Sequence, residues 1–217
     1  MTDLEAVTLR HSVRAYKNIR IEQEKVDEIK ELIDALNKEH GLHIQFIRNA
    51  GNVFNGIASK FTGWKGVPSY IALVGERGAK LDELCGYCGE QIVLLAQKLG
   101  LNTCWAGIFR RRQVKAEIGE NEKLVIVIAI GYGVTDGKSR LSKPIEDVTD
   151  VKGDMPDWFR CGVTAALLAP TALNQQKFIF SLDGDTPSVR VSDTGPFDKV
   201  DLGIVKYHFE IGSGRKL

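Results

Sequence analysis

Arg10-His-Ser-Val-Arg14 gathers two guanidinium groups, an imidazole and a hydroxyl into consecutive residues. Arg carries a planar fork of donors that suits phosphate oxygens, and Ser adds one more donor. Such a cluster either binds an anion or lies on a solvated helix face, and these residues alone leave both readings open. Lys138-Ser-Arg140 is a second basic group, just past the continuous apolar run Leu124 to Ile130. Gly137-Lys-Ser139 invites a P-loop reading, but position 132 is Tyr where that motif requires Gly, and Lys143-Pro144 stands where its helix should start. Gly131-Tyr-Gly133 likewise opens a dinucleotide fingerprint that Thr135 and Asp136 do not complete. What survives is Lys138 and Arg140 as a pair of cations at a strand end, facing an anion or solvent.

A third group, Ala169-Pro-Thr-Ala-Leu-Asn-Gln-Gln176, joins a helix end to a strand through small and amide-bearing residues. Asn and Gln offer paired donors and acceptors that match the edge of a heterocycle, and Ala admits a flat ring close to the backbone. The same residues also make an ordinary polar loop bonded to its own turns. Cys85-Gly-Tyr-Cys88 matches the CxxC redox pattern, here within the first turns of a helix. Cysteines three apart also share one helix face as small core residues, which is the reading preferred here. Zinc would need a second ligand pair, and Cys104 and Cys161 are not spaced as one.

The elements that must position these groups come from 217 residues, enough for one sizeable core or for one domain with a small partner. A formal charge of +1 removes any broad electrostatic case for nucleic acid or an anionic membrane as partner. No run approaches the roughly 18 apolar residues needed to span a bilayer. The acidic start Met1-Thr-Asp-Leu-Glu5 lacks the apolar core of a signal peptide, and four cysteines do not make a disulfide framework in so long a chain. The reducing cytoplasm is therefore the expected compartment.

Glu22 to Glu39 reads as an amphipathic helix, with Val26, Ile29, Ile33 and Leu36 on one stripe and Gly41 past its end. Leu42 to Phe46 alternates as a half-buried strand, and Val67 to Val74 is a more apolar one. Asn49 to Gly66 is too long for a plain connector and reads as a functional loop. Asp82 to Leu99 is a helix apolar over most of its surface, closed by Gly100. Thr103 to Phe109 and Leu124 to Ile130 are extended. After a polar stretch from Asp147 to Asp154, a helix runs from Trp158 to Leu168 and stops at Pro170. Phe178 to Phe180 and Val189 to Val191 form a hairpin across Asp183-Gly184, and Val200 to Gly212 returns to helix. This last helix echoes the earlier one: Gly89 and Gly203 each precede a large apolar residue by six positions, and each helix ends at Gly100 or Gly212. Two unrelated amphipathic helices also produce such a likeness.

Taken together and in this order, the three groups resemble the flavin-dependent nitroreductase family over nearly the whole chain. Arg10-His-Ser-Val-Arg14 is similar to the family's N-terminal Arg-x-Ser-x-Arg/Lys element, which implies contact with the phosphate and ribityl chain of FMN. Lys138-Ser-Arg140-Leu resembles its basic segment after the last core strand, and Lys143-Pro-Ile-Glu-Asp147 its Lys-Pro-Leu-Glu-Glu. Gly100 to Phe109 resembles the segment beside the flavin N5 edge, which makes Ala106 and Gly107 candidates. The family's Pro-Ser-x-x-Asn-x-Gln-Pro element normally follows the first helix, where Leu36 to Gly41 has no counterpart; Ala169 to Gln176 stands far downstream instead. In the family that element reaches the flavin from the opposite subunit.

The resemblance therefore implies an α+β, nitroreductase-like fold, with a mixed, mainly antiparallel sheet flanked by helices and an internally duplicated pseudo-dimer. Residues 1–150 would carry the phosphate anchor, and residues 151–217 would be a truncated second half completing the site. The implied cofactor-binding residues are Arg10, His11, Ser12, Arg14, Ala106, Gly107, Lys138, Arg140, Pro170, Thr171, Ala172, Asn174 and Gln176, with Asn52 or Asn55 at the pyrimidine edge. No side chain is nominated as catalytic and none as a metal ligand. The implied activity is hydride transfer from NADH or NADPH through FMN to a small acceptor such as a nitroaromatic or quinone, by a monomer or a homodimer. Three rivals remain at this stage. They are an FMN carrier or redox sensor without turnover, a dehalogenase-type flavin reductase, and thiol redox through Cys85 and Cys88.

Overall fold

The computed structural model of the chain describes residues 1–55, 63–191 and 195–217. These divide into two compact units, one of residues 10–81 and 92–138, the other of residues 1–9, 82–91 and 139–217.

The first unit is built on a four-stranded antiparallel sheet of β1 (Gln45–Arg48), β2 (Ser69–Glu76), β3 (Asn102–Ala106) and β4 (Glu122–Gly131), in the order β1-β2-β4-β3. The two central strands are the most apolar, and Tyr70 to Val74 and Val127 to Ile130 have no exposed surface. Continuous apolar strands are the ones covered on both faces. Helix α2 (Gln23–His40) buries the stripe Val26, Ile29, Ile33 and Leu36. It ends at Gly41, which takes a left-handed φ of 64° and donates its N–H to the Asn37 carbonyl.

The strand expected from Leu42 begins only at Gln45, for a physical reason. The Asn37 side-chain amide takes both backbone groups of Ile44, accepting its N–H at 2.7 Å and donating to its carbonyl at 2.9 Å. Of the earlier residues, Leu42 makes one isolated bridge, to Gly75. Between β2 and β4 the register slips by one residue, pairing Leu73 with Ile126 and Val74 with Leu124. The extra residue is Val125, a β-bulge. Arg111 plugs it, donating Nη1 to the Leu124 carbonyl at 2.7 Å and Nη2 to the Val125 carbonyl at 3.0 Å.

The second unit contains α1 (Asp3–Leu9), α4 (Asp157–Ala166), α5 (Asp198–Ser213) and the hairpin β5 (Phe178–Asp183) with β6 (Thr186–Val191). Helix α3 (Leu81–Lys98) contributes residues 82–91 to this unit and its last two turns to the first. The hairpin pairs as far as Asp183 with Thr186, so its two loop residues are Gly184 and Asp185, with Gly184 at a φ of 57°. Its core is aromatic: Phe180 stacks on Phe209 at 4.8 Å, and Phe159 stands edge-on to both. Helices α3 and α5 cross at glycines. A Cβ on Gly86 would lie 2.0 Å from the Val200 carbonyl, and one on Gly203 would lie 1.9 Å from the Glu83 carbonyl. Val200 and Glu83 each precede the opposite glycine by three residues, so the contact is reciprocal. It pairs Gly203 with Gly86, one turn before the Gly89 singled out by sequence likeness.

Cys85 and Cys88 are both buried on α3, without a disulfide. No helix of the described residues is long and apolar enough to cross a membrane.

Candidate functional site

In the first unit, β3 lies at the edge of the sheet, and the segment from Arg10 to Arg14 runs beside it. Ser12 bridges Thr103 in parallel, and the Val13 N–H donates to the Thr103 carbonyl at 3.0 Å. The cluster is thus extended backbone rather than a helix face. Extended backbone sends alternate side chains to opposite sides, so Arg10, Ser12 and Arg14 share one side, and His11 and Val13 the other. Spacing by two is what turns three separate polar residues into one surface.

Two loops pin this segment. The Lys65 N–H donates to the Arg14 carbonyl at 2.9 Å, and the Arg14 guanidinium lies 5.9 Å from the centre of the Trp64 ring. Tyr16, buried, donates its hydroxyl to the Val13 carbonyl at 2.7 Å, and burial pushes that phenol well above its usual range. Gly137 closes the other side. Its φ is 83°, and a Cβ there would stand 2.7 Å from His11 Cβ and 3.3 Å from both the Ser12 carbonyl and Val13 Cγ2. Only glycine meets both demands. This close approach brings the chain at Lys138, which is exposed, alongside His11 and Ser12.

Arg10 is 7 % exposed, while Ser12 and Arg14 are half-buried. Burial and the charge of Arg10 hold His11 below the usual imidazole range, so near neutral pH its ring is uncharged. At the far end of β3, Ala106 is buried and Gly107 half-buried. The chain beyond is held by the Arg110 N–H, which donates to the Val53 carbonyl at 2.8 Å. Asn52 and Asn55 are exposed and bond to each other at 3.2 Å. Residues 56–62 of the expected Asn49 to Gly66 loop lie outside the described residues.

In the second unit, Pro170 to Gln176 forms a short 3-10 turn, Ala172–Asn174, with unusual backbone. Leu173, Asn174 and Gln176 all have left-handed φ, at 53°, 56° and 49°. A side chain in this region costs on the order of 1 kcal/mol each. The surroundings hold the turn in place. Gln176 is buried and uses its amide internally, accepting the Lys143 N–H at 2.8 Å and donating to the Leu167 carbonyl at 3.1 Å. Its own carbonyl accepts from Lys143 Nζ at 2.9 Å, and its N–H donates to the Thr171 hydroxyl at 3.2 Å. Asn174 donates its amide to the Leu141 carbonyl at 2.8 Å. Pro170, Thr171, Ala172 and Asn174 stay half-buried, and Arg140 is exposed.

Sequence reading missed three residues that build these surfaces. Thr103 is the rail for Ser12, Gly137 the close approach, and Asp201 the acceptor of the Ala172 N–H. Gly137 carried a usable signal, as a glycine between a strand and a basic pair. Thr103 and Asp201 carried none, because each acts on a residue far away in the chain.

A family model described as "Putative TM nitroreductase" matches residues 3–213. A search of the curated proteins finds no match. Among solved structures, a "putative nitroreductase" of Thermotoga maritima superposes with a TM-score of 0.71 at 23 % identity, over 98 % of this chain and 83 % of that one. A "nitroreductase family protein" of Streptococcus pneumoniae gives 0.56 at 14 % identity, over 70 % of this chain and all (100 %) of the other. A "putative nitroreductase in complex with FMN" of Exiguobacterium sibiricum gives 0.54 at 18 % identity, over 70 % and 98 % of the two chains. At these identities the likeness establishes the α+β fold, with its antiparallel sheet flanked by helices.

Proposed function

Since this chain belongs to the TM nitroreductase family, we propose that it is an FMN-dependent oxidoreductase that uses NADH or NADPH to reduce a small acceptor. The observation that carries the reading is the side shared by Arg10, Ser12 and Arg14 along the edge of β3, with Gly137-Lys138 packed against the same segment. These residues fit a phosphate ester. They join guanidinium forks to an ammonium and a hydroxyl, and glycine at 137 lets the chain that carries Lys138 close onto the same segment. The solved Exiguobacterium relative, described as a complex with FMN, supports the choice of cofactor.

When bound, FMN supplies hydride transfer between NADH or NADPH and an acceptor such as a nitroaromatic or quinone. The chain's own residues bind and orient. Arg10, Ser12, Arg14, Lys138 and Arg140 would hold the phosphate and ribityl chain, and neutral His11, on the other side of the same segment, would reach the cofactor only at its margin. Ala106 and Gly107 would offer backbone groups toward N5 of the flavin, and Asn52 or Asn55 would offer an amide to its pyrimidine edge. Pro170, Thr171, Ala172 and Asn174 cover the ring, with Gln176 bracing them from behind. No side chain of this set is assigned proton transfer.

In this reading residues 1–150 carry the phosphate anchor and residues 151–217 are a truncated counterpart of a partner subunit. The reciprocal contact of Gly86 with Gly203 supports that duplication. One FMN is bound per chain, whether the chain acts as a monomer or a homodimer. The test is reconstitution with FMN followed by anaerobic addition of NADH or NADPH. The expected result is one equivalent of flavin per chain, bleached by at least one donor. Bound flavin that neither donor bleaches would mark a flavin carrier, and no retained flavin would refute the reading.

A further inference from the structure

Asp201 lies in the first turn of α5, and both of its carboxylate oxygens accept the Ala172 backbone N–H, at 2.9 and 3.1 Å. Nothing in the proposed chemistry uses this carboxylate. Its position is costly: burial pushes its pKa up to about 7, against the opposing pull of the Ala172 N–H. Asp198 on the same helix raises it further and Lys177, just before β5, lowers it. Lys177 is itself paired with Asp198 at 3.8 Å. A carboxylate is retained at a site that disfavours its charge, and its observed bond is to the first residue of the strained turn.

That turn needs an outside hold. Leu173, next in the chain, has a left-handed φ and is 85 % exposed, so it gains no burial in return for its backbone conformation. The holds from Lys143 and Leu141 act at or after Asn174, and the Gln176 N–H closes the turn on the Thr171 hydroxyl from within. Before Leu173, Asp201 grips the entry to the turn. Ala172 also belongs to the cover proposed for the flavin ring, and the inference rests on that reading.

We propose that Asp201 is a positioning residue: through the Ala172 N–H it fixes the Pro170 to Gln176 turn in the conformation that covers the flavin ring. It touches neither phosphate nor ring. Loss of the tether should therefore weaken riboflavin and FMN by the same factor, unlike loss of a phosphate ligand.

The experiment compares the wild-type chain with Asp201→Ala, Asp201→Asn and Ala172→Pro. Proline removes the N–H donor. It is tolerated by the preceding Thr171, whose φ of −83° and ψ of 156° suit a pre-proline residue. The first readout, amide exchange at Ala172, needs no flavin. Protection is expected to fall roughly tenfold in Asp201→Ala, as for loss of a hydrogen bond to a charged group, and to return in Asp201→Asn, whose side-chain carbonyl still accepts. The second readout is affinity for riboflavin and for FMN. Both should fall roughly tenfold in Asp201→Ala and Ala172→Pro, recover in Asp201→Asn, and fall no further in the double variant. Unchanged protection in Asp201→Ala overturns the tether. If Asp201→Ala does not fold, the flavin affinity of Ala172→Pro against that of Asp201→Asn decides whether the tether positions the turn, and equal affinities overturn it. Lost protection with undiminished flavin affinity overturns the positioning role, and a wild-type chain that binds no flavin refutes the functional reading while exchange still tests the tether.

Discussion

Glu90 of α3 and His208 of α5 are hydrogen-bonded at 2.8 Å, and both side chains are 0 % exposed. The other ring nitrogen, Nδ1, lies 3.1 Å from the Ala165 carbonyl. A carbonyl only accepts, so Nδ1 carries a proton. The helices that cross at Gly86 and Gly203 are thereby also joined by a polar link sealed from water.

Removing one partner of a buried pair strands the other, which costs about 3–5 kcal/mol. Glu90→Ala and His208→Ala should each lower stability by about that amount in urea titrations. The double variant Glu90→Met/His208→Leu should recover most of the loss. Full additivity of the two single losses would mean that the residues do not act as a pair.

The phosphate anchor predicts a split between flavins. Arg14→Ala and Lys138→Ala should each weaken FMN by roughly tenfold or more, the scale of a charge-assisted hydrogen bond. Riboflavin affinity should stay within about twofold of the wild-type value, since the lost contacts are to phosphate. Fluorescence titration with both flavins reads the ratio, and equal losses would move these residues away from the phosphate.

At the crossing of α3 and α5, Gly203→Ala places a methyl 1.9 Å from the Glu83 carbonyl, a backbone atom that cannot swing aside. Overpacking of this kind costs about 3 kcal/mol or more. Gly78→Ala, where a Cβ meets nothing within 4 Å, is the control and should change stability by less than about 0.5 kcal/mol. Thermal melts of the two variants compare them directly.

Asp201 predicts a pH dependence of defined sign. Its carboxyl binds a proton more tightly in the folded chain, with a pKa of about 7, than at the ordinary value of 3.8. Its contribution to stability is therefore fully present below the ordinary value and lost as pH rises through the folded value. Relative to the wild type, Asp201→Asn should gain stability across that window, by up to about 1.4 kcal/mol per pH unit. Urea midpoints measured at several pH values between those limits test it, and a parallel offset would show that Asp201 does not titrate there.

Much of this was legible where the chain speaks locally. The stripe from Val26 to Leu36 gave α2 almost to the residue, and Gly41 marked its end. The apolar run in β4 and the turn residues of the hairpin were equally plain. One local signal was overlooked: Thr2 and Glu5 form a reciprocal capping box, at 2.7 and 3.2 Å, that starts α1, a helix absent from the sequence reading. The rest was not written locally. Whether Leu42 or Gln45 starts β1 depends on Asn37, and the hold on Ala172 comes from a residue 29 positions away. The motif Arg10-His-Ser-Val-Arg14 suggested an anion site, but only pairing with Thr103 makes its alternate residues share a side.

Arg111 also bears on the flank of β4 that β3 leaves open. Strand β3 ends at Ala106, opposite Val127, and among the described residues no strand pairs with the earlier part of β4 on that flank. Bare carbonyls on a sheet edge are a template for strands from other chains, the first step toward aggregation. By occupying the carbonyls of Leu124 and Val125, the guanidinium denies an incoming strand its acceptors. Lysine, a single point of charge, cannot span both in the same fixed geometry. One exposed arginine thus satisfies two neighbouring acceptors of β4 at once.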